Sequence, residues 1–270
     1  MLSKIKKASD FIKENISERP LIGLILGSGL GYIADKIENK QEFRYEDIPN
    51  FPLSTVQGHE GKLVIGTLEG VPVAALKGRF HAYEGHGMKN ITFPIYFMRE
   101  IGVKGVILTN AAGGVNKTYT PGDIIADTDF INFSLDNPLI GPNYNELGVR
   151  FPPMAEPVDH KWLKRTQAIC KENGINIKEG TYVWVLGPCY ETPAEIKMFE
   201  KFGGDLVGMS TVPEVIACNH AGLKVIAFSA VTNFASGILP EPLNHNDVIK
   251  AADKIKPVFE KVVNYAIKMF

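Results

Sequence analysis

The sequence predicts an α/β protein, in which buried strands alternate with helices along one chain. Short apolar runs at residues 21–26, 105–109 and 224–232 have the length and composition of buried strands. Amphipathic or well-capped helical segments separate the strands. The predicted core strands also end in polar or glycine-bearing turns, and in open α/β sheets the ligand crevice lies outside the carboxyl ends of the strands. The fold prediction therefore also predicts where a ligand binds.

The first half of the chain opens with an amphipathic helix at residues 3–17, in which Ile5, Ala8 and Ile12 recur at helical spacing. The next predicted elements are a strand at 21–26, a glycine loop, a β-hairpin at 62–67 and 71–76, a helix at 88–101 and a strand at 105–109. Pro94 is expected to interrupt the helix at 88–101.

The second half continues the alternation of strands and helices. Its predicted elements are strands at 123–133, 180–186, 206–210 and 224–232, with helices at 160–173, from 193 onward, at 213–222 and at 246–269. Thr192, Pro193 and Glu195 form the start signal of the second of these helices. Residues 134–158 are irregular and longer than a simple connection, and such loops tend to be functional.

Bulk composition is typical of a globular protein and excludes several functional classes. The chain has 270 residues, 22% charged residues and a net charge of −1, and no basic segment indicates binding to nucleic acid. No apolar run is long enough for a membrane span, and the first residues lack a signal-peptide core. Three cysteines without a C-x-x-C pair indicate neither a disulfide framework nor a zinc site. We therefore expect a cytoplasmic protein.

The stretch Gly27-Ser28-Gly29-Leu30-Gly31 follows the first predicted strand and precedes a short helical segment. A loop in this position presents backbone N–H groups to an anion. It is not a dinucleotide fingerprint, because Tyr32 stands where the third glycine belongs, and no Lys-Ser/Thr pair follows as in a P-loop. Two interpretations stay open, a cradle for a small oxyanion that includes the Ser28 hydroxyl and a turn that only redirects the chain.

The turn at residues 78–87 contains an arginine, two histidines, a tyrosine and a glutamate between three glycines. Arg79 offers a planar donor fork suited to phosphate. In an extended segment His81 points to the same face as Arg79. The alternative is a solvated polar loop.

Later turns add groups suited to a flat heterocycle. Tyr190 offers an aromatic face and Glu191 accepts hydrogen bonds from a ring N–H edge, unless Glu191 only complements the dipole of the next helix. Asn233 can donate and accept at once. The small residues at 110–114 either bring N–H groups close to a ligand or only form a tight turn. Met209 is equally compatible with core packing.

No motif supplies a protein nucleophile or a metal site, since the chain lacks G-x-S-x-G, H-E-x-x-H and clustered carboxylates. The residues thus predict a small anion acting on a ring-bearing substrate. His59 and His245 lie beside turns, where each is either functional or only a loop or capping neighbour.

Seven motifs, in the same order, resemble the trimeric class of purine nucleoside phosphorylases. They are the segments at 27–31, 57–59, 79–85, 109–114, 187–192, 207–210 and 231–233. The resemblance runs from about residue 20 to the C-terminal helix. It implies a phosphorylase-like single domain at residues 1–270, with a central twisted mixed β-sheet flanked by helices.

The resemblance also implies roles for individual residues. The expected phosphate ligands are Ser28, His59, Arg79, His81, the Ala111 N–H and Ser210. The expected ribose contacts are Tyr83, Met209 and His245, with Phe151 from a neighbouring subunit. The expected base contacts are Tyr190, Glu191, Val207 and Asn233. The expected catalytic residues are His81, Glu191, Asn233 and His245.

The implied reaction is reversible phosphorolysis of inosine, guanosine and their deoxy forms to a free purine and a pentose 1-phosphate, a step of purine salvage. Phosphate is a substrate, and neither a metal nor an organic cofactor is expected. Asn233 and Glu191 complement a 6-oxopurine, whereas the related methylthioadenosine phosphorylases have aspartate at the Asn233 position. Phe234 and Tyr190 depart from the lysine and phenylalanine of mammalian members, so the finer base preference stays open.

Two alternative functions remain at this point. One is phosphorolysis of methylthioadenosine, and the other is a catalytically silent nucleoside-binding protein on the same fold. The expected partners are small-molecule substrates and further copies of the chain in a homotrimer, without nucleic acid or membrane.

Overall fold

The structure, a computed structural model, describes residues 1–54, 60–238 and 245–270, the side chains of 245–253 excepted. Within these residues, nine strands form one mixed sheet. They are β1 (Ile22–Leu26), β2 (Glu38–Arg44), β3 (Lys62–Leu68), β4 (Val71–Lys77), β5 (Gly105–Gly114), β6 (Ile124–Asn132), β7 (Lys178–Trp184), β8 (Leu206–Gly208) and β9 (Lys224–Phe234).

The helices follow the predicted segments closely. They are α1 (Leu2–Asn15), α2 (Met88–Ile91), α3 (Phe93–Ile101), α4 (His160–Glu172), α5 (Pro193–Lys201), α6 (Val212–Ala221) and α7 (His245–Lys268). The predicted helix at 88–101 is divided at Thr92, because Pro94 begins a new helix rather than continuing the first. Thr192 and Glu195 cap α5 reciprocally, as predicted.

The central strands are parallel and fully buried. β1 pairs in parallel with β4 on one side and with β5 on the other, and all five residues of β1 are buried. The antiparallel strands β2 and β3 extend this sheet to an edge, where β2 is mostly exposed. Its charged residues suit an edge strand, one side of which faces solvent.

The other half of the sheet closes on itself. β9 pairs with β5 in parallel and with β6 antiparallel, while β7 and β8 connect β6 back to β5. Strands β5, β8, β7, β6 and β9 therefore form a small barrel at one end of the open sheet. The mixed sheet flanked by helices is confirmed, and the barrel is an additional feature of the fold.

Two layers of helices cover the open sheet. Alternate strand residues face α1, α3 and α6 on one side, and α4 and α7 on the other. For example, Ile25 and Leu108 belong to the first layer of the core, whereas Leu24 and Ile107 belong to the second. Within the described part of the chain, no helix combines the length and apolar composition needed to cross a bilayer.

The prediction that residues 110–114 form a turn is wrong, because they are the second half of β5. β9 runs beside them and supplies ladder partners for residues 110–114, with a bulge after Ala112. The small side chains of residues 110–114 therefore do not end the strand. They let β5 bend and pair with both β8 and β9 at the mouth of the barrel.

Candidate active site

A cavity of about 180 Å³ lies where β1, β4, β5, β7, β8 and β9 end. Eleven of the predicted site residues line it, namely Ser28, Arg79, His81, Tyr83, Ala111, Tyr190, Glu191, Val207, Met209, Ser210 and Asn233. These residues come from six separate segments of the chain, and the sheet brings them together because its strands end near one another. Gly27, Asn110 and Thr232 are among the additional lining residues.

Three predicted site residues are not placed in this cavity. His59 lies outside the described residues. His245 is the first residue of α7, and its side chain is likewise outside the described part. Phe151 is 85% exposed and lines a separate surface cavity of about 540 Å³ with Phe130 and Ile140.

Arg79 is the most strongly fixed charged side chain of the cavity. It is 2% exposed, and its Nε donates to Glu214 Oε1 at 3.0 Å, which forms a buried ion pair. Its Nη1 donates to the Thr109 carbonyl oxygen at 3.0 Å and to Ser210 Oγ at 2.9 Å. Because several partners hold the guanidinium, its position at the cavity is set before any ligand binds.

Ser210 and Thr211 continue this network at the start of α6. Their hydroxyl oxygens lie 3.1 Å apart, and Thr211 Oγ1 accepts from Asn110 Nδ2 at 3.1 Å. Thr211 has a φ of 72°, an uncommon conformation for a β-branched residue that costs of order 1–3 kcal/mol. This backbone conformation presents two adjacent hydroxyls to the guanidinium, which indicates a site built for an anion.

His81 and Tyr83 form a second wall of the cavity. Their rings stack at 4.6 Å between centroids, and Glu84 Oε1 accepts hydrogen bonds from the backbone N–H of His81 at 2.8 Å and from its ring Nδ1 at 3.2 Å. Burial lowers the pKa of His81, although the Glu84 carboxylate opposes this shift. The ring is therefore held in one orientation and is predominantly neutral at pH 7.

The opposite wall carries the groups suited to a heterocycle. Glu191 is partly buried between Tyr190 and the start of α5, and burial together with the nearby Glu195 raises its pKa. The amide of Asn233 is oriented by two short bonds, from Thr232 Oγ1 to Asn233 Oδ1 and from Asn233 Nδ2 to the Phe234 carbonyl, both 2.9 Å. One N–H and one lone pair of that amide stay available to a ligand.

Sequence reasoning missed the buried groups behind the cavity. Glu214 and Thr211 contact Arg79 directly, Asn110 contacts Thr211, and Asp127 contacts Asn110. A signal existed for Asp127, since it follows the apolar strand residues Ile124-Ile125-Ala126, and for Glu214, which stands within the apolar first half of its helix. Among the described residues, no group of three or more His, Cys, Asp or Glu is arranged to hold a metal ion.

Comparison with known proteins agrees with this geometry. The family model described as the phosphorylase superfamily matches residues 21–268, which is most of the chain. The chain belongs to the phosphorylase superfamily. Within the superfamily, it is 51% identical to purine nucleoside phosphorylase 1 of Bacillus subtilis (strain 168), and the match covers 100% of both chains.

Solved structures of superfamily members have the same fold. A Schistosoma purine nucleoside phosphorylase in complex with hypoxanthine superposes with a TM-score of 0.94 at 38% identity, covering 98% of this chain and 96% of that one. The Schistosoma mansoni enzyme in complex with inosine gives a TM-score of 0.91 at 38% identity, covering 97% and 96%.

Proposed function

We propose that the chain is a purine nucleoside phosphorylase, a pentosyltransferase that converts a purine nucleoside and phosphate to free purine and pentose 1-phosphate in purine salvage. The single observation that carries this proposal is the pairing, in one cavity, of anion donors around Arg79 with the ring-edge groups Glu191 and Asn233. The 51% identical relative with the same named activity supports it. Inorganic phosphate is a substrate, and the reaction needs no cofactor.

Phosphate binds at the end of the cavity formed by Ser28, Arg79, His81, Ala111 and Ser210, and His59 belongs to the same group in our prediction. The support for this placement is the buried guanidinium with the Ser210 hydroxyl beside it. Arg79 and Glu214 neutralise each other, so the positive charge is balanced until the dianion arrives.

The purine binds against Tyr190 and Val207, with its polar edge toward Glu191 and Asn233. Glu191 accepts a hydrogen bond from N1–H, and Asn233 donates to N7 or to the 6-oxo group. This arrangement favours inosine and guanosine over adenosine, because adenosine has no hydrogen at N1.

The chemical step follows from where charge develops. The C1′–N9 bond breaks first, so the pentose becomes oxocarbenium-like and the purine leaves with the bonding electrons. Asn233 stabilises that negative charge, while phosphate stabilises the cation and then forms the new C1′–O bond. The purine anion finally takes up a proton. In this scheme Tyr83, Met209 and His245 hold the pentose, with His245 at its 5′-hydroxyl.

We further propose that the chain is one domain and assembles as a homotrimer in which Phe151 closes the site of a neighbouring copy. The continuous sheet supports the single domain. Large exposed apolar side chains on the irregular stretch that contains Phe151 support the assembly, namely Leu135 (94% exposed), Ile140 (65%) and Val149 (59%). The cytoplasmic location stays a prediction of the sequence.

Release of hypoxanthine from inosine, followed with and without phosphate, tests the activity. We expect turnover only when phosphate is present, and guanosine should also react. Faster turnover of methylthioadenosine than of inosine would assign the chain to the related phosphorylases instead. Binding of inosine without turnover of any nucleoside would indicate a silent binding protein.

A further inference from the structure

A buried polar cluster lies behind the phosphate end of the cavity, inside the barrel. It consists of Asn110 on β5, Asp127 on β6 and Ser229 on β9, and all three side chains are buried. Asn110 and Ser229 are register partners across β5 and β9, and Ser229 also pairs with Ile125 of β6. A bulge follows Asp127 in β6. The cluster is therefore fixed by three strands rather than by a loop.

Short contacts join every member of the cluster. Ser229 Oγ lies 2.8 Å from Asn110 Oδ1, 2.8 Å from Asp127 Oδ1 and 3.0 Å from Asp127 Oδ2. Asn110 Nδ2 lies 3.3 Å from Asp127 Oδ2 and 3.1 Å from Thr211 Oγ1. All of these are hydrogen-bonding distances.

If Asp127 is ionised, two close oxygen–oxygen contacts in the cluster have only one hydrogen between them. The Ser229 hydroxyl has a single hydrogen, yet its oxygen lies close to oxygens of both Asn110 and Asp127. If Asp127 is ionised and receives that hydrogen, Ser229 Oγ and Asn110 Oδ1 meet at 2.8 Å with no hydrogen between them. If Asp127 is protonated, it donates to Ser229, and Ser229 donates to Asn110 Oδ1.

The protonation of Asp127 is tied to the orientation of the Asn110 amide. With nitrogen and oxygen exchanged, Asn110 would donate to Ser229 and Ser229 to an ionised Asp127, so no added proton would be needed. In the structure Asn110 Nδ2 faces Asp127 Oδ2 and Thr211 Oγ1, and this orientation favours a neutral Asp127.

With a neutral Asp127, the donors form one directed chain toward the cavity. Asp127 donates to Ser229, and Ser229 donates to Asn110 Oδ1. Asn110 Nδ2 donates to Thr211 Oγ1, whose hydroxyl can donate to Ser210 Oγ 3.1 Å away. The Ser210 hydrogen is then directed to the cavity. Hydrogen bonds aligned in this way polarise one another and strengthen the last donor.

Three charged or titratable groups interact electrostatically with Asp127, namely Arg79, Tyr119 and Tyr182. Burial raises the pKa of Asp127 to about 7, although hydrogen bonds from Ser229 and Asn110 and the charge of Arg79 oppose the shift. Glu214 already balances Arg79, so an ionised Asp127 would leave net negative charge next to an anion site.

We propose that Asp127 is held as the neutral acid and acts as a positioning residue whose proton directs the donor chain that ends at Ser210. This inference rests on the proposed phosphate site. The proton of Asp127 and the bound anion stabilise each other. Anion affinity is therefore highest when Asp127 is protonated and falls as the pH rises through its pKa.

Sulfate binding measured by calorimetry against pH tests this proposal, because sulfate does not titrate in the neutral range. We expect wild-type affinity to fall about five-fold or more between about pH 6 and pH 8.5, and Asp127→Asn to remove most of this fall. The asparagine reproduces the hydrogen bonds of the neutral acid. Asp129→Asn, an exposed change two residues along β6, is the matched control and should keep the wild-type profile.

Two further measurements separate positioning from a general structural role. Ser229→Ala interrupts the donor chain and removes the hydroxyl that can donate to Asp127 once this residue is ionised, so the midpoint of the sulfate profile should move to higher pH. Infrared spectra should contain the carbonyl band of a buried neutral carboxylic acid at pH 6 in the wild type and lack it in Asp127→Asn. An unchanged midpoint, or a wild-type pH dependence in Asp127→Asn, would overturn the proposal.

Failure of this inference is distinguishable from failure of the proposed function. Phosphate-dependent turnover of inosine by the wild type supports the function whatever the sulfate profile of Asp127→Asn is. If the wild type turns over inosine while the profile of Asp127→Asn equals that of the wild type, only the role of Asp127 is wrong.

Discussion

Arg79 and Glu214 form an ion pair that is buried on both sides, with side chains 2% and 3% exposed. Burial of two charges is costly, and their attraction offsets this cost only when both are present. The pair therefore holds the charged Arg79 guanidinium at the cavity while adding little to the free energy of unfolding. An arriving phosphate dianion interacts with the same guanidinium, which explains why the protein keeps an ion pair where apolar packing is possible.

Glu214→Gln should destabilise the protein by about 3 kcal/mol in the absence of phosphate, because it leaves the buried Arg79 charge uncompensated. Saturating phosphate should recover most of this loss, since the anion supplies the missing charge. Urea unfolding with and without phosphate measures both effects. Glu200→Gln, which breaks the exposed ion pair with Lys117, is the control and should lower the free energy of unfolding by less than about 1 kcal/mol. A loss that phosphate does not reduce would argue against an anion at Arg79.

Asn233 is the other residue whose orientation decides function. Thr232 Oγ1 donates to Asn233 Oδ1, which fixes the orientation of the amide. The remaining N–H of Asn233 is therefore held in one direction, toward the proposed base site. In the proposed base site, this donor and the Glu191 carboxylate together set the preference for a 6-oxopurine.

Asn233→Asp should shift preference from inosine toward adenosine. A carboxylate accepts a hydrogen bond from the 6-amino group of adenosine, but it repels the 6-oxo group and N7 of inosine. We expect the ratio of kcat/KM for inosine to that for adenosine to fall by about ten-fold or more. Asn173→Asp, at the exposed end of α4, is the control and should leave the ratio unchanged. An unchanged ratio in Asn233→Asp would show that this residue does not distinguish the two bases.

At the scale of elements, close contact between β1 and β5 positions the glycine loop. The Gly27 N–H donates to Thr109 Oγ1 at 3.1 Å, and the same hydroxyl donates to the Ile25 carbonyl at 3.2 Å. A Cβ at Gly27 would lie 2.6 Å from the Thr109 carbonyl oxygen, which is a backbone atom. Gly27 is therefore required by this close approach of two strands and not by a positive φ.

Gly27→Ala should push the ends of β1 and β5 apart. It should lower the free energy of unfolding by about 1–3 kcal/mol, because the two paired strands resist this displacement. The same displacement should raise the KM for phosphate more than the KM for inosine, since Ser28 follows directly. Urea unfolding and steady-state kinetics measure the two effects. Gly87→Ala is the matched control, because a Cβ there meets no atom within 4 Å. Equal behaviour of the two variants would show that the approach at Gly27 is not needed.

At the scale of the whole molecule, one surface is unusually apolar for a chain that acts alone. Phe151, Leu135 and Ile140 are exposed on the irregular stretch after β6, and Phe151 and Ile140 line a surface cavity of about 540 Å³. Exposed apolar surface of this kind marks an interface between proteins. In a cyclic trimer this patch meets a different surface of the next copy, so each copy can supply Phe151 to its neighbour.

Phe151→Ala and Asn233→Ala should each impair turnover alone but complement each other when co-expressed. A site is intact when Asn233 comes from one copy and Phe151 from its neighbour, and random assembly places intact pairs at about a quarter of the sites. The mixed assembly should therefore exceed the mean activity of the two separate variants. Sedimentation velocity gives the oligomeric state, and activity no higher than that mean would contradict a shared site.

The α/β class and the order of the elements were predictable from the sequence. Local signals sufficed for them, because apolar periodicity, the α5 capping box and glycine-bearing strand ends act over a few residues. The full set of predicted residues that line the cavity followed from the resemblance of seven motifs to a known family. The strand ends carry the chemistry, so the motifs of the sequence and the lining of the cavity largely coincide. His59 and the His245 side chain stay predictions.

Only the tertiary structure decided the rest, and the reason is that it depends on pairing between distant strands. Residues 110–114 become a strand because β9, more than a hundred residues later, supplies their partners. The same pairing closes the barrel and places Asn110, Asp127 and Ser229 together behind Arg79. No local pattern predicts this polar cluster, since its side chains meet only when β5, β6 and β9 are assembled.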